Sequence, residues 1–125
     1  MNTVFTDIRQ HSIVEPASLT SGVVFALPHS GRDYGISFLN QSILNRRSIR
    51  SSEDAFLDKL IDGIEKYGAP TIIANAPRAF IDLNRSTDEL DPALISGITN
   101  SIRNPRVSSG WGGIPRVVAH GKEIY

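Results

Sequence analysis

The chain contains no cysteine, one methionine and one tryptophan. Without cysteine there is no disulfide, no thiolate nucleophile and no thiolate ligand, so any bound metal would be held by His, Asp or Glu. An excess of one charge is missing as well: 13 Lys and Arg balance 13 Asp and Glu, for a net charge of zero. No overall field draws the molecule toward nucleic acid or an anionic membrane, and electrostatic arguments must rest on local clusters. Long apolar runs are also lacking. The longest, Val23–Leu27, falls far short of the roughly 20 residues that span a bilayer. The leading segment carries Asp7, Arg9, His11 and Glu15 where a signal peptide would have an apolar core, so a cytoplasmic location is the expectation.

What the chain has is the make-up of a globular domain, with 40% apolar and 21% charged residues over 125 positions. That length suits one α/β domain over 1–125, with 1–21 read as an irregular leading segment that passes through the Glu15-Pro16 turn. Gly22 to Leu27 is short, apolar and β-branched, which predicts a strand covered on both faces. Similar runs predict strands over 70–75, 79–84 and 114–119. Between the first two, the pattern predicts a short helix over 37–44 and a longer one opened by Ser51-Ser52-Glu53-Asp54. In the longer helix Phe56, Leu57, Leu60, Ile61 and Ile64 recur at helical spacing, and Gly68 supplies a stop. Strand, helices, strand is a βαβ order. Residues 93–98 read as a helical turn, and the Gly-rich 108–113 run reads as flexible.

Residues able to carry chemistry fall into a few groups. His29 lies in a Pro-His-Ser-Gly turn at the C-terminal end of the first predicted strand, where open α/β sheets bind ligands. It is a candidate metal ligand or general base, against the plainer role of a surface hydrogen-bonder. Glu53 and Asp54 either complement a helix dipole or give one carboxylate to a metal shared with His29. Arg78 and Arg85 flank Asp82 and Asn84. They can grip a substrate carboxylate as planar forks, or form a structural ion pair with Asp82. Arg46, Arg47 and Arg50 make a basic patch that charge alone would mark as an anion site. His11 and His120 have no partner in the sequence and are read as surface residues.

Taken together, Pro28-His29-Ser30-Gly31-Arg32-Asp33-Tyr34, Ser52-Glu53-Asp54-Ala55-Phe56, Pro77-Arg78-Ala79-Phe80-Ile81-Asp82-Leu83-Asn84-Arg85, Glu89-Leu90-Asp91-Pro92 and Arg116-Val117-Val118, in that order, resemble the N-formylglutamate amidohydrolase family. The resemblance runs from about Val23 to Tyr125 and covers the N-terminal half of the family. It implies the zinc carboxypeptidase and aspartoacylase-like fold, a phosphorylase/hydrolase-like three-layer αβα arrangement around a mixed, mostly parallel sheet, here in incomplete form. It implies hydrolysis of N-formyl-L-glutamate to formate and L-glutamate, a step of histidine degradation. The implied zinc ligands are His29 and an acid, Glu53 or Asp54. Asn84 and Arg85 would hold a substrate carboxylate, and Arg78 would polarise the scissile carbonyl.

By the same resemblance, a second histidine ligand and a general-base carboxylate belong to the family's C-terminal half. The alternative is therefore a truncated, inactive fragment that folds and at most binds an acidic amino acid. The implied partner is a small N-acyl acidic amino acid, with no nucleic acid or membrane, and an uncovered sheet edge would favour self-association. Arg85→Lys, which turns a bidentate fork into a point charge, should weaken binding of N-formyl-L-glutamate. Unchanged affinity in a titration would remove Arg85 from the clamp.

Overall fold

β-Branched residues at 71–73 build the central strand of a three-stranded sheet in the computed structural model, which describes residues 10–102 and 104–125. The strands are β1 (His11–Val14), β2 (Phe25–Leu27) and β3 (Thr71–Ala74), in the order β1-β3-β2. β2 runs parallel to β3, with Phe25 opposite Thr71 and Leu27 opposite Ile73. β1 is antiparallel to β3, with His11 opposite Ala74 and Val14 opposite Thr71. Among the described residues four short α-helices complete the fold: α1 (Ile36–Gln41), α2 (Arg46–Ile49), α3 (Leu57–Leu60) and α4 (Pro105–Ser108). The βαβ order holds for β2, α1 to α3 and β3. No helix among the described residues is long and apolar enough to cross a membrane.

Several expectations are corrected. The leading segment is not irregular throughout, because β1 pairs with β3; residues 1–9 of it lie outside the described residues. The four residues of β1 take their hydrogen bonds from β3, a long-range gain that no local pattern announces. The first predicted strand shortens to β2, and Val23 and Val24 are exposed. The sheet is not covered on both faces either, since Ala26 and Ile72 are exposed. The predicted long helix after Ser51 breaks into α3 and a 3₁₀ turn at Ile64–Tyr67. Phe56 and Gly63 both take positive φ, 62° and 91°, which interrupts the helical register. Glu53 and Asp54 therefore lie in a loop ahead of α3, whose first-turn acid is Asp58.

Residues 79–84 form turns in place of a strand: the Phe80 and Ile81 N–H groups donate to the Pro77 carbonyl. Residues 114–119 contribute only a single bridge, Val117 to Glu123. The Gly-rich 108–113 run is tied down. Gly113 N–H donates to the Glu89 carbonyl and Trp111 N–H to the Arg106 carbonyl at 2.8 Å, and a Cβ at Gly112 would crowd the Glu89 carbonyl at 2.6 Å.

The core lies beside the sheet. Phe38 of α1 and Ile49 of α2 pack with Ala76, Ala79, Val118 and Ile124, and Tyr34, Leu39, Leu44, Phe80 and Ile81 surround them. Phe38 meets Phe80 edge-to-face, with ring centroids 5.2 Å apart. Asn45 caps α2 by accepting from Ser48 N–H, and Asn104 caps α4 in the same way for Val107, with Pro105 at the first helical position. The C-terminus closes the core: Ser42 Oγ and Ile43 N–H both donate to the Ile124 carbonyl. Because Phe38 is fully buried, Phe38→Ala should cost about 3–5 kcal/mol of unfolding free energy. Urea denaturation checks this, and a loss under about 1 kcal/mol would place the core elsewhere.

Candidate functional site

β2 ends at Leu27, and the chain turns at once through His29, Ser30 and Gly31 at the C-terminal end of the parallel pair. This turn packs against the residues leaving β3. Asp33 N–H donates to the Asn75 carbonyl at 2.9 Å. A Cβ on Gly31 would collide with the Ala76 carbonyl, so only glycine lets the two backbones approach this closely. The same approach brings His29 onto the 77–85 segment that follows β3.

There the His29 Nε2 lies 2.7 Å from Asp82 Oδ1. The Asp82 side chain is fully buried and collects further donors. Asn84 N–H donates to Oδ1 at 2.9 Å, Arg78 Nε donates to Oδ2 at 3.1 Å, and an Arg85 terminal nitrogen stands 3.5 Å from Oδ2. Burial alone would raise the pKa of this carboxyl. The His29 hydrogen bond, the Asn84 N–H and the charges of His29 and Arg78 outweigh burial and bring it down to about 2. Asp82 is thus an acceptor at neutral pH, and with His29 Nε2 turned to it the other ring nitrogen, Nδ1, faces away from Asp82, where a neutral imidazole offers a lone pair.

Nδ1 faces the Asp54 carboxylate at 3.5 Å. The placement is set by the backbone, since Asp54 N–H donates to the His29 carbonyl at 2.9 Å. His29 is largely buried while the Asp54 side chain is half exposed, so the pair opens on one side to solvent. Glu53 is turned elsewhere. Its nearly buried carboxylate accepts from the Tyr34 hydroxyl at 2.7 Å and from Arg50 at 3.0 and 3.2 Å. Burial, reinforced by that bond to Glu53, holds the Tyr34 hydroxyl well above the usual tyrosine range and therefore protonated.

The arginines divide their donors unequally. Arg78 gives Nε to Asp82 and lays its guanidinium over the Trp111 ring, 5.1 Å from the centroid. Its two terminal nitrogens have no protein acceptor among the described residues. Arg85 is nearly buried. Its Nε donates to the Trp111 carbonyl, one terminal nitrogen to the Asn84 carbonyl, and the other faces Asp82. The Asn84 side chain is exposed beside them.

The structure thus brings His29, Asp54, Arg78, Asn84 and Arg85 together around Asp82, and holds Glu53 apart from them. Of the basic patch, Arg50 is committed to Glu53, whose hydrogen bond holds that guanidinium's pKa above its ordinary value. Arg46 lines a separate cavity of about 300 Å³ with Arg32, Tyr34 and Arg50. His11 and His120 are exposed. The ion pair of Asp82 with Arg78 and Arg85, one of the two readings the sequence allowed, is present; its bond to His29 shows only in three dimensions. Trp111, in a Gly-rich run, carries no sequence signal.

No group of three or more His, Asp or Glu placed to hold a metal occurs among the described residues. His29 Nδ1 and Asp54 Oδ2 nevertheless fit as a pair of donors. Two ligand atoms at about 2.0–2.1 Å from a tetrahedral zinc ion stand about 3.3 Å apart, close to the 3.5 Å seen here. A ligating histidine characteristically gives its other ring N–H to a carboxylate, the place Asp82 fills.

Comparison with known proteins identifies the family. The N-formylglutamate amidohydrolase family model matches residues 21–125. The crystal structure of N-formylglutamate amidohydrolase from Ralstonia eutropha JMP134 is similar, with 28% identity and a TM-score of 0.83. The similarity covers 93% of this chain and 41% of that one. No curated protein sequence matches.

The lowered pKa of Asp82 has a measurable consequence. A carboxyl whose folded pKa lies below its unfolded value stabilises the protein above the unfolded pKa, near 3.8, and loses that contribution as pH falls through the folded pKa. In a chelating buffer the chain should lose about 2 kcal/mol between about pH 5 and pH 1 that Asp82→Asn does not lose. Urea denaturation at a series of pH values checks it, and parallel losses in both proteins would show that Asp82 is not the group responsible.

Proposed function

The chain belongs to the N-formylglutamate amidohydrolase family, matching its N-terminal part, and we propose that it carries the first half of a zinc-dependent active site that hydrolyses N-formyl-L-glutamate to formate and L-glutamate. The observation that supports this best is the sequence of contacts Asp82, His29 Nε2, His29 Nδ1, Asp54. It presents one imidazole nitrogen and one carboxylate oxygen to an open side, with a buried carboxylate fixing the ring. The chain spans 41% of the length of the solved relative, so the activity is read as that of the whole site to which these residues contribute. A three-layer αβα arrangement, a single domain over 1–125, a cytoplasmic location and a place in histidine degradation go with the same reading.

A zinc ion held by His29 Nδ1 and Asp54 would bring the pKa of a bound water to about 7 and supply Lewis acidity. The protein residues do the rest. Asp82 keeps the His29 proton on Nε2, so that Nδ1 stays a donor. Arg78, its plane set by Trp111 and its Nε anchored by Asp82, offers the oxygen of a scissile amide two terminal nitrogens that no acceptor among the described residues claims. They can stabilise the negative charge that develops there as the carbonyl carbon becomes tetrahedral. The Asn84 amide and the remaining donors of Arg85 lie alongside, suited to the α- or side-chain carboxylate of an acidic amino acid. Arg85 is mostly consumed by protein acceptors, so in this reading it contributes rigidity along with charge.

Calorimetric titration of zinc into the metal-free chain tests the proposal. Uptake of one zinc per chain is expected, lost in both His29→Ala and Asp54→Ala and retained in Glu53→Gln. Formate release from N-formyl-L-glutamate, abolished by chelator, would extend the result to catalysis. Zinc uptake unchanged in His29→Ala would overturn the assignment. Binding of glutamate without zinc would support the alternative of a chain that only binds an acidic amino acid.

A further inference from the structure

Accepting the reading of His29 and Asp54 as metal-facing donors, the question that remains is what holds Asp54 in place. Its side chain is half exposed and lies in a loop outside any helix or strand. Among the described residues its carboxylate meets only the His29 ring. A carboxylate in that setting would ordinarily wander among rotamers, and its ordering must come from the chain on either side.

Both sides are pinned, and by the same turn that carries His29. On the N-terminal side, the carboxylate of Glu53 is held by the Tyr34 hydroxyl. On the C-terminal side, Arg32 grips both oxygens of Asp58, each at 2.9 Å, a planar fork on a planar acceptor. That bond, ahead of every other influence, lowers the pKa of Asp58 and raises that of Arg32. Between Asp54 and Asp58 the chain passes through Phe56 at φ 62°, ψ 14°, a left-handed conformation that a bulky side chain adopts only when its surroundings compel it. The Arg32 guanidinium lies over that phenyl ring, 5.3 Å from its centroid. One arginine therefore both ties the far end of the loop and covers its strained residue.

We propose that the Arg32–Asp58 fork is a positioning clasp for the metal half-site. It closes the 54–58 loop onto the His29 turn, so that the Asp54 carboxylate is already set beside His29 Nδ1 before a divalent cation arrives. Arg32 and Asp58 touch neither cation nor substrate and act only through Asp54. A plain surface ion pair of this kind would be worth little and would leave metal affinity unchanged. The clasp predicts the opposite.

The test is a zinc titration followed by the ring nitrogen resonances of His29, with affinities measured against a competing chelator. Arg32→Gln and Asp58→Asn should each weaken zinc binding by roughly 10- to 100-fold, the range found for outer partners of metal ligands. Arg32→Lys, which keeps the charge without the fork, should recover part of the loss. The double variant Arg32→Gln/Asp58→Asn should bind no more weakly than the worse single variant, because the two residues act as one unit. If Arg32→Gln fails to fold, Asp58→Asn and Arg32→Lys carry the same comparison. Unmodified affinity in Arg32→Gln and Asp58→Asn, with zinc lost in His29→Ala and Asp54→Ala, would overturn the clasp and leave the metal reading standing. Zinc retained in His29→Ala and Asp54→Ala would overturn the metal reading, and the clasp with it.

Discussion

The buried carboxylate of Asp82 is the constraint on which the site depends. It is fully removed from solvent, yet it stays ionised because donors from separate places in the chain converge on it. A buried charge is costly unless every lone pair is answered. Here the answers come from His29 after β2, from Arg78 and Arg85 on either side in sequence, and from the Asn84 backbone. In the proposed site the groups that stabilise Asp82 are also those that would act on a ligand, so the arrangement that lets the charge be buried also aligns the imidazole and the guanidinium groups.

A second constraint works at the backbone. Gly31 lets the His29 turn lie against Ala76 without a Cβ between them, which brings the 28–34 turn onto the segment containing Asp82. That turn then reaches the other way, through Arg32 and Tyr34, to the loop that carries Asp54. His29 thus stands between two carboxylates of different character. The buried one orients the ring, and the half-exposed one opens to solvent. In the proposed site the difference in exposure divides the work: the dry carboxylate fixes the ring, and the wet one would meet the ligand.

The short secondary structure explains why so much of the site is loop. Three strands of three or four residues and four helices of four to six provide only a small frame, and the core of Phe38, Ile49, Ala79, Val118 and Ile124 sits beside the sheet. Functional side chains are carried on turns cross-braced by hydrogen bonds, with Trp111 and the Glu89 region closing the far side under Arg78 and Arg85. Rigidity comes from polar links between loops, which makes the site sensitive to single polar substitutions.

The sequence by itself determined the parallel pair β2 and β3 with helical segments between them, because apolar β-branched runs and helical spacing are local signals. It also marked His29, Glu53, Asp54, Arg78 and Arg85 as candidates, since a histidine at a strand end, adjacent acids and paired arginines around an acid are legible one residue at a time, and the family resemblance added Asn84. It did not disclose β1, whose bonds come from a strand sixty residues away. Nor did it show that the helix after Ser51 would break at left-handed Phe56 and Gly63, or that residues 79–84 would turn instead of extending. The ladder to β3 decided the first, and the convergence of His29, Arg78 and the Asn84 N–H on buried Asp82 goes with the turn at 79–84. Which of Glu53 and Asp54 faces His29 was likewise a tertiary decision. The two are neighbours with the same charge, and only Tyr34 and Arg50, by claiming Glu53, leave Asp54 toward the imidazole.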